Sequence, residues 1–136
     1  MIVLPLDPGL TTGWAVLGYD GRLLVSGVLK PDEIDPFLSS LLLSYKRQGH
    51  DILVVVEKMP QAHAGKLADQ LRAVILTIDS VLIRLRINPV RVAPGVWKTS
   101  SARESESFAG DRRLTSHERD AIRMGRYALK RRDKYT

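Results

Sequence analysis

Two apolar segments of this sequence each end in a carboxylic acid, and this pattern restricts the fold more than any other feature. Asp7 follows the apolar residues 2–6, and Glu57 follows residues 52–56, which include three consecutive valines. Short apolar runs without a helical period are typical of buried strands. Because an ionised carboxylate resists burial unless it is paired or binds a metal, an acid at each of two strand ends predicts a shared cation.

The strand pattern continues on both sides of these segments. Residues 13–17 and 23–29 are predicted to follow the first strand as two further strands, with Asp20 and Gly21 in the hairpin turn between them. Residues 90–93 are predicted to form a fifth, short strand. Pro5 lies inside a strand that we place centrally, and its missing N–H predicts that this position faces an edge or a bulge.

Helical patterns separate the later strands. We predict helices over residues 31–48 and 66–86, and a last helix that begins near Thr115, whose side chain forms a capping box with Glu118. Residues 100–113 are rich in Ser, Arg, Glu and Gly and are predicted to form a mobile loop. A hairpin followed by alternating helices and strands predicts an α/β fold with a mixed five-stranded sheet, in one domain over residues 1–136.

Charge and composition limit the partners and metals that this protein can bind. The 136 residues carry a formal net charge of +6, with a sequence pI near 9.9, so a polyanion such as nucleic acid is the expected partner. The sequence contains no cysteine, so oxygen and imidazole groups must hold any metal, and Mg²⁺ or Mn²⁺ is favoured. No stretch reaches the ~18 apolar residues of a membrane span, and we expect a cytoplasmic protein without membrane contact.

Two further candidate ligands lie in the last predicted helix. His117 and Asp120 are three residues apart and therefore project from one helix face. With Asp7 and Glu57 they form a set that fits two divalent ions, about 3.5–4 Å apart, acting on a phosphodiester. Asp7 would bridge the ions, the other three residues would complete their coordination, and His117 would also orient or deprotonate the water. Each residue also fits a purely structural role. Asp7 can be an ordinary turn residue, Glu57 can be an ion-pair partner of Lys58, and His117 and Asp120 can belong to a polar first turn of a helix.

Basic residues follow the same part of the chain. Arg119, Arg123, Arg126 and Lys130 recur at helical spacing and form one stripe, which we interpret as a phosphate-contacting surface. The full set of predicted DNA-contacting residues is Lys58, Met59, Lys98, Arg112, Arg113, Arg119 and Arg123.

Four motifs in order resemble the RuvC family of Holliday junction resolvases. They are the turn from Asp7-Pro8-Gly9 to Thr12-Gly13, the strand end at Glu57, residues 91–94 followed by Trp97-Lys98, and His117-x-x-Asp120-Ala121. The resemblance implies an RNase H-like fold, a homodimer, and paired Mg²⁺-dependent nicks in four-way DNA, with Mn²⁺ as a substitute ion. It also implies that Asp7, Glu57, His117 and Asp120 are the four catalytic metal-binding positions.

Many relatives have Asp where His117 stands, though His is also used. The sequence departs from that family in three respects. The loop after Glu57 lacks the aromatic wedge that resolvases of the family often insert at the junction, and Met59 would take its place. The loop over residues 100–110 does not match the family, and the short chain resembles phage-encoded versions, which implies a bacterial or phage-infected bacterial cell.

The second long helix is apolar over more than half of its circumference and needs cover on two sides. We therefore predict that it forms the two-fold interface of the homodimer. The apolar residues are Leu67, Leu71, Val74, Ile75, Ile78, Val81, Leu82 and Leu85.

Three alternative functions remain open at this point. The chain could be a catalytically silent nucleic-acid-binding module, although all four ligand types are present. The turn after Asp7 also resembles the phosphate-binding turn of actin-like and sugar-kinase ATPases, but those enzymes need a second domain. A third alternative is an RNase H-like nuclease that acts on RNA or on other branched DNA.

Overall fold

The chain forms strands and helices in the predicted order. The structure is a computed structural model that describes residues 1–58, 65–98 and 105–132. Its elements are β1 (Ile2–Asp7), β2 (Thr12–Gly18), β3 (Leu23–Leu29), a 3₁₀ turn (Pro31–Glu33), α1 (Ile34–Arg47), β4 (Ile52–Glu57), α2 (Lys66–Arg84), β5 (Val90–Val92), a second 3₁₀ turn (Val96–Lys98), β6 (Phe108–Ala109), β7 (Arg112–Arg113) and α3 (Ser116–Lys130).

Five of the strands form one mixed sheet in the order β3-β2-β1-β4-β5. The first three strands pair antiparallel, whereas β4 pairs parallel with both β1 and β5. The predicted α/β class with a mixed five-stranded sheet is confirmed. None of the helices in the described residues is long and apolar enough to cross a membrane.

Apolar side chains cover both faces of the sheet. Leu4, Leu6, Val54 and Val56 face α1 and α2 in one buried cluster. Val3 and Val55 belong to the opposite cluster, and residues of α3 complete it, among them Ile122, Met124 and Tyr127. Burial on both faces explains why β1 and β4 read as continuous apolar runs.

The central position predicted for the strand of Pro5 is confirmed, but the edge or bulge predicted at this residue is wrong. This residue lies in β1, which has β2 on one side and β4 on the other, so its position is central. The paired positions of β1 with β2 lie at Ile2, Val3, Leu6 and Asp7, on either side of Pro5. The strand tolerates proline because the ladder with β2 is interrupted where the missing N–H would have to donate.

The helix boundaries differ from the prediction by at most three residues. A 3₁₀ turn precedes α1, which ends in the expected glycine: Gly49 has φ +81° and donates to Lys46 O, while His50 donates to Tyr45 O. These two bonds form the Schellman motif. Helix α2 ends at Arg84 because Arg86 adopts a left-handed backbone conformation with φ +58°.

The loop prediction for residues 100–113 was wrong in its second half, and residues 100–104 lie outside the described ranges. Phe108 and Ala109 pair with Arg113 and Arg112 in a small hairpin. Gly110 supplies the positive φ, +61°, that its two-residue turn needs. The hairpin is also anchored to α3, because Arg112 forms an ion pair with Glu118.

Candidate active site

Two of the predicted catalytic carboxylates lie side by side at one edge of the sheet. Strands β1 and β4 are parallel neighbours, and the last paired residues in their register are Leu6 and Val56. Asp7 and Glu57 are the next residues of the two strands. Because parallel strands present their carboxyl ends at the same edge, the side chains that follow them can act together.

Helix α3 brings His117 and Asp120 to this edge. Its first turn packs on Gly13 of β2, the residue paired with Asp7, so closely that a Cβ at Gly13 would overlap the backbone carbonyl of His117. Farther along the helix, a Cβ at Gly125 would lie 2.8 Å from Pro5 Cγ. Two glycines, one on the sheet and one on the helix, thus permit the close approach that sets the position of Asp120.

Glu118 anchors the first turn of α3. Its side chain is 1% exposed and accepts hydrogen bonds from Ser26 Oγ at 2.5 Å and from both terminal nitrogens of Arg112, at 3.0 and 2.9 Å. It also completes the predicted capping box with Thr115. Burial alone raises the pKa of a carboxyl group, but the bonds from Arg112 and Ser26 lower the pKa of Glu118 to about 2.

Electrostatics link three of the predicted ligands. Burial first, and then the negative charges of Glu57 and Asp120, raise the pKa of Asp7 to about 7, while Lys98 opposes the shift. Asp7 therefore lies in a group of like charges, an arrangement that a divalent cation would relieve. His117 is exposed and is not among the charges that shift Asp7.

The four predicted ligands, Asp7, Glu57, His117 and Asp120, do not form a complete metal-binding site among the described residues. Within residues 1–58, 65–98 and 105–132, no three His, Asp or Glu side chains are already arranged to hold one metal ion. The carboxylate oxygens nevertheless fit Mg²⁺ or Mn²⁺ by their chemistry, and the partly buried Asp7, next to two other negative charges, marks where such an ion would be held. The assignment of Asp7, Glu57, His117 and Asp120 as ligands stays a prediction.

Sequence reasoning missed two supports of this site. Trp97 Nε1 donates to Glu57 Oε2 at 2.7 Å, and the amide of Gly95 donates to the same oxygen at 3.2 Å. The other support is the anchoring of Glu118 on Ser26. A buried tryptophan usually needs a partner for its N–H, so Trp97 carried a signal, but the sequence does not show which acceptor it finds.

The predicted DNA-contacting residues differ in their surroundings. Lys58, Lys98 and Arg113 are exposed, whereas Met59 lies outside the described residues. Arg119 and Arg123 line a cleft of about 170 Å³ together with Ser116 and Asp120. Arg112 lies half-exposed in its ion pair with Glu118, so part of its charge is compensated within the protein.

The predicted basic stripe along α3 is interrupted. Arg126 is only 19% exposed, and it pairs with Glu106 at 2.6 Å and donates to the carbonyl of Gly21. Its guanidinium holds the turn between β2 and β3 and the segment before β6 against the helix. The stripe interpretation is therefore wrong for Arg126.

Comparison with solved structures identifies the fold. A structure of Thermus thermophilus RuvC in complex with a Holliday junction substrate matches with a TM-score of 0.71 and 19% sequence identity, over 98% of this chain and 96% of that one. A second T. thermophilus RuvC structure gives 0.69 and 18%, over 99% and 98% of the two chains. No protein-family model matches the chain, and no curated protein matches it significantly in sequence. The chain therefore has a RuvC-like, RNase H-like fold.

Proposed function

We propose that this protein is a metal-dependent endonuclease that cuts branched DNA, four-way junctions in particular. The observation that carries the proposal is the position of Asp7 beside Glu57 and Asp120: burial first, and then the negative charges of these two residues, raise the pKa of Asp7 to about 7. The RuvC-like fold supports it, since a protein of that fold has been solved with a Holliday junction substrate.

The site would hold two Mg²⁺ ions, with Mn²⁺ as a substitute. Asp7, which lies beside Glu57 and Asp120, would hold the ions together with these two residues and His117. When bound, such an ion pair supplies an activated water and stabilises the leaving oxygen of a phosphodiester. His117 lies exposed at the start of α3, where its imidazole can bind an ion or accept a proton from the water.

Basic residues around this edge would bind the DNA backbone. Lys58 follows Glu57, Lys98 acts electrostatically on Asp7, and Arg119 and Arg123 share a cleft with Asp120. Arg112 and Arg113, in the hairpin beside α3, would add phosphate contacts, and Met59 would act at the junction as an apolar wedge. Such contacts supply affinity that falls steeply with salt.

We also propose that the active form is a homodimer built on α2. Leu76 and Ile83 are exposed by 67% and 76% and lie seven residues apart, on one face of the helix. The opposite side of the helix carries the buried residues Val74, Ile78 and Val81. A dimer would cover the exposed apolar pair and place two active sites on one four-way junction.

The decisive experiment is cleavage of a synthetic four-way junction in Mg²⁺. We expect cutting by the wild-type chain and no cutting by Asp7→Asn, with junction binding retained. Asp51→Asn is the matched control, because Asp51 is exposed and immediately precedes β4 at the other end of the sheet. Equal cutting by Asp7→Asn would reject the assignment of the site.

The substrate class is tested by a panel of four-way junctions, flaps, forks and RNA–DNA hybrids at several salt concentrations. Preference for the four-way junction supports a resolvase. Preference for RNA hybrids would favour an RNase H-like enzyme instead, and binding without cutting in any metal would favour a catalytically silent module.

A further inference from the structure

Trp97 is buried in the apolar cluster under α3, yet its ring nitrogen reaches a predicted catalytic carboxylate. The side chain is 1% exposed and shares its cluster with Val55, Val92 and Met124. Its Nε1 donates to Glu57 Oε2 at 2.7 Å. At this length the hydrogen bond to a carboxylate is a strong, charge-assisted one.

The hydrogen bonds on Glu57 are distributed unequally between its two oxygens. Trp97 and the backbone amide of Gly95 both donate to Oε2. Among the described residues, no hydrogen bond to Oε1 is present. Two donors on one oxygen restrict the rotation of the carboxylate, because both come from the turn that follows β5, and they leave the other oxygen to a ligand.

Two basic side chains make cation–π contacts with the indole ring of Trp97. Lys98 Nζ lies 5.1 Å from the ring centroid, and Arg123 Cζ lies 5.3 Å from it. A cation over an aromatic face is an attractive contact, and withdrawal of electron density from the indole strengthens its N–H as a donor. Since Arg123 follows Asp120 by three residues on α3, the ring contacts both strand β4, through Glu57, and the helix that carries Asp120.

We propose that Trp97 is a positioning residue, which orients Glu57 so that Oε1 faces the metal. The proposal rests on the proposed function, since it takes Glu57 as a metal ligand. Residues that orient a ligand in this way contribute about 10–100-fold to metal affinity. The turn after β5, with Gly95, Trp97 and Lys98, is then part of the active site.

The second tryptophan of the chain provides a matched control. Trp14 is also buried, at 7% exposure, but it lies on the opposite face of the sheet, against Phe37 with ring centroids 4.7 Å apart. Within the described residues its Nε1 has no hydrogen-bond partner. Replacing either tryptophan by phenylalanine removes similar buried volume, but only Trp97→Phe removes a donor from Glu57.

The test is Mn²⁺ binding measured by calorimetry, which needs no substrate and no turnover. We expect Trp97→Phe to weaken Mn²⁺ binding about 10–100-fold and Trp14→Phe to leave it unchanged, with thermal unfolding to confirm that both variants are folded. Equal Mn²⁺ affinity in Trp97→Phe and the wild-type chain would overturn the positioning role while leaving the proposed function intact. Absence of Mn²⁺ binding to the wild-type chain would overturn both.

A second readout reports the hydrogen bond directly. The chain has two indole N–H groups, which ¹H–¹⁵N correlation spectra separate and which the two phenylalanine variants assign. We expect Mg²⁺ to shift the Trp97 signal and not the Trp14 signal, and we expect Glu57→Gln to move the Trp97 signal upfield in the absence of metal. A Trp97 signal that shifts neither with Mg²⁺ nor in Glu57→Gln would overturn the proposal. This holds even if Trp97→Phe binds metal poorly because it misfolds.

Discussion

Replacement of Glu118 by glutamine tests the anchor that holds α3 against the sheet. The substitution keeps the side-chain size but removes the charge, so the donors on Arg112 and Ser26 lose an ionised acceptor. Breaking a buried ion pair costs about 3–5 kcal/mol. Arg112 is 51% exposed and can regain water, which places the expected loss of unfolding free energy near the lower end, at about 3 kcal/mol.

The pKa of Glu118 gives the same magnitude by an independent route. Its value falls from 4.5 to about 2 on folding, which corresponds to about 3 kcal/mol at 1.36 kcal/mol for each pKa unit. Because the folded pKa is the lower one, this stabilisation is present above pH 4.5 and is lost as the pH falls towards 2. Between pH 7 and pH 3.5 it should decrease by about 1.4 kcal/mol.

Urea unfolding followed by circular dichroism measures both quantities. We expect Glu118→Gln to be about 3 kcal/mol less stable than the wild-type chain at pH 7, with a smaller difference at pH 3.5. Glu106→Gln is the control, since Glu106 is 40% exposed in its pair with Arg126 and exposed pairs contribute at most about 1 kcal/mol. A loss for Glu118→Gln no larger than that of the control, or one independent of pH, would refute the reasoning.

Three further predictions concern the site, the dimer and the DNA. Without divalent ions, ionisation of Asp7 opposes folding as the pH rises from 3.8 to about 7. In urea unfolding, Asp7→Asn should therefore be more stable than the wild-type chain by up to about 4 kcal/mol. Mg²⁺ should reduce this difference in unfolding free energy. Ile83→Lys should convert the proposed dimer to a monomer in sedimentation analysis. Leu67→Lys should not, because Leu67 is also exposed, by 67%, but lies on the other side of α2; a dimer that survives Ile83→Lys would reject this interface. Arg113→Gln should lower the salt dependence of junction binding by about one counterion, and an unchanged slope in a salt titration would remove Arg113 from the DNA surface.

Much of the sheet could be predicted because its signals are local. The apolar runs before Asp7 and Glu57 are each visible within a few consecutive residues. The turn at Gly21 predicted the pairing of β2 with β3, but the order of the other strands was not predicted. The hairpin at residues 108–113 had a local signal too, the Gly110-Asp111 turn, but its flanking strands are only two residues long and the polar composition outweighed it.

The supports of the candidate site could not be predicted in the same way. Ser26 and Glu118 are 92 positions apart, and Trp97 and Glu57 are 40 apart. No pattern in one sequence states that a given buried donor meets a given acceptor over such separations. The charge of Glu118 pointed correctly to a helix cap but gave no indication of its burial.

The two glycines under α3 limit how this protein can change. Gly13 and Gly125 act as spacers of minimal thickness between the helix and the strands. A methyl group added at either one would lift the helix and carry Asp120 away from Asp7 without altering a single charged residue. A substitution at either glycine would therefore disturb the candidate site from a distance. At Gly125 a smaller residue in place of Pro5 or Leu17 on the opposing surface could compensate, whereas Gly13 faces the backbone carbonyl of His117, which no substitution can remove.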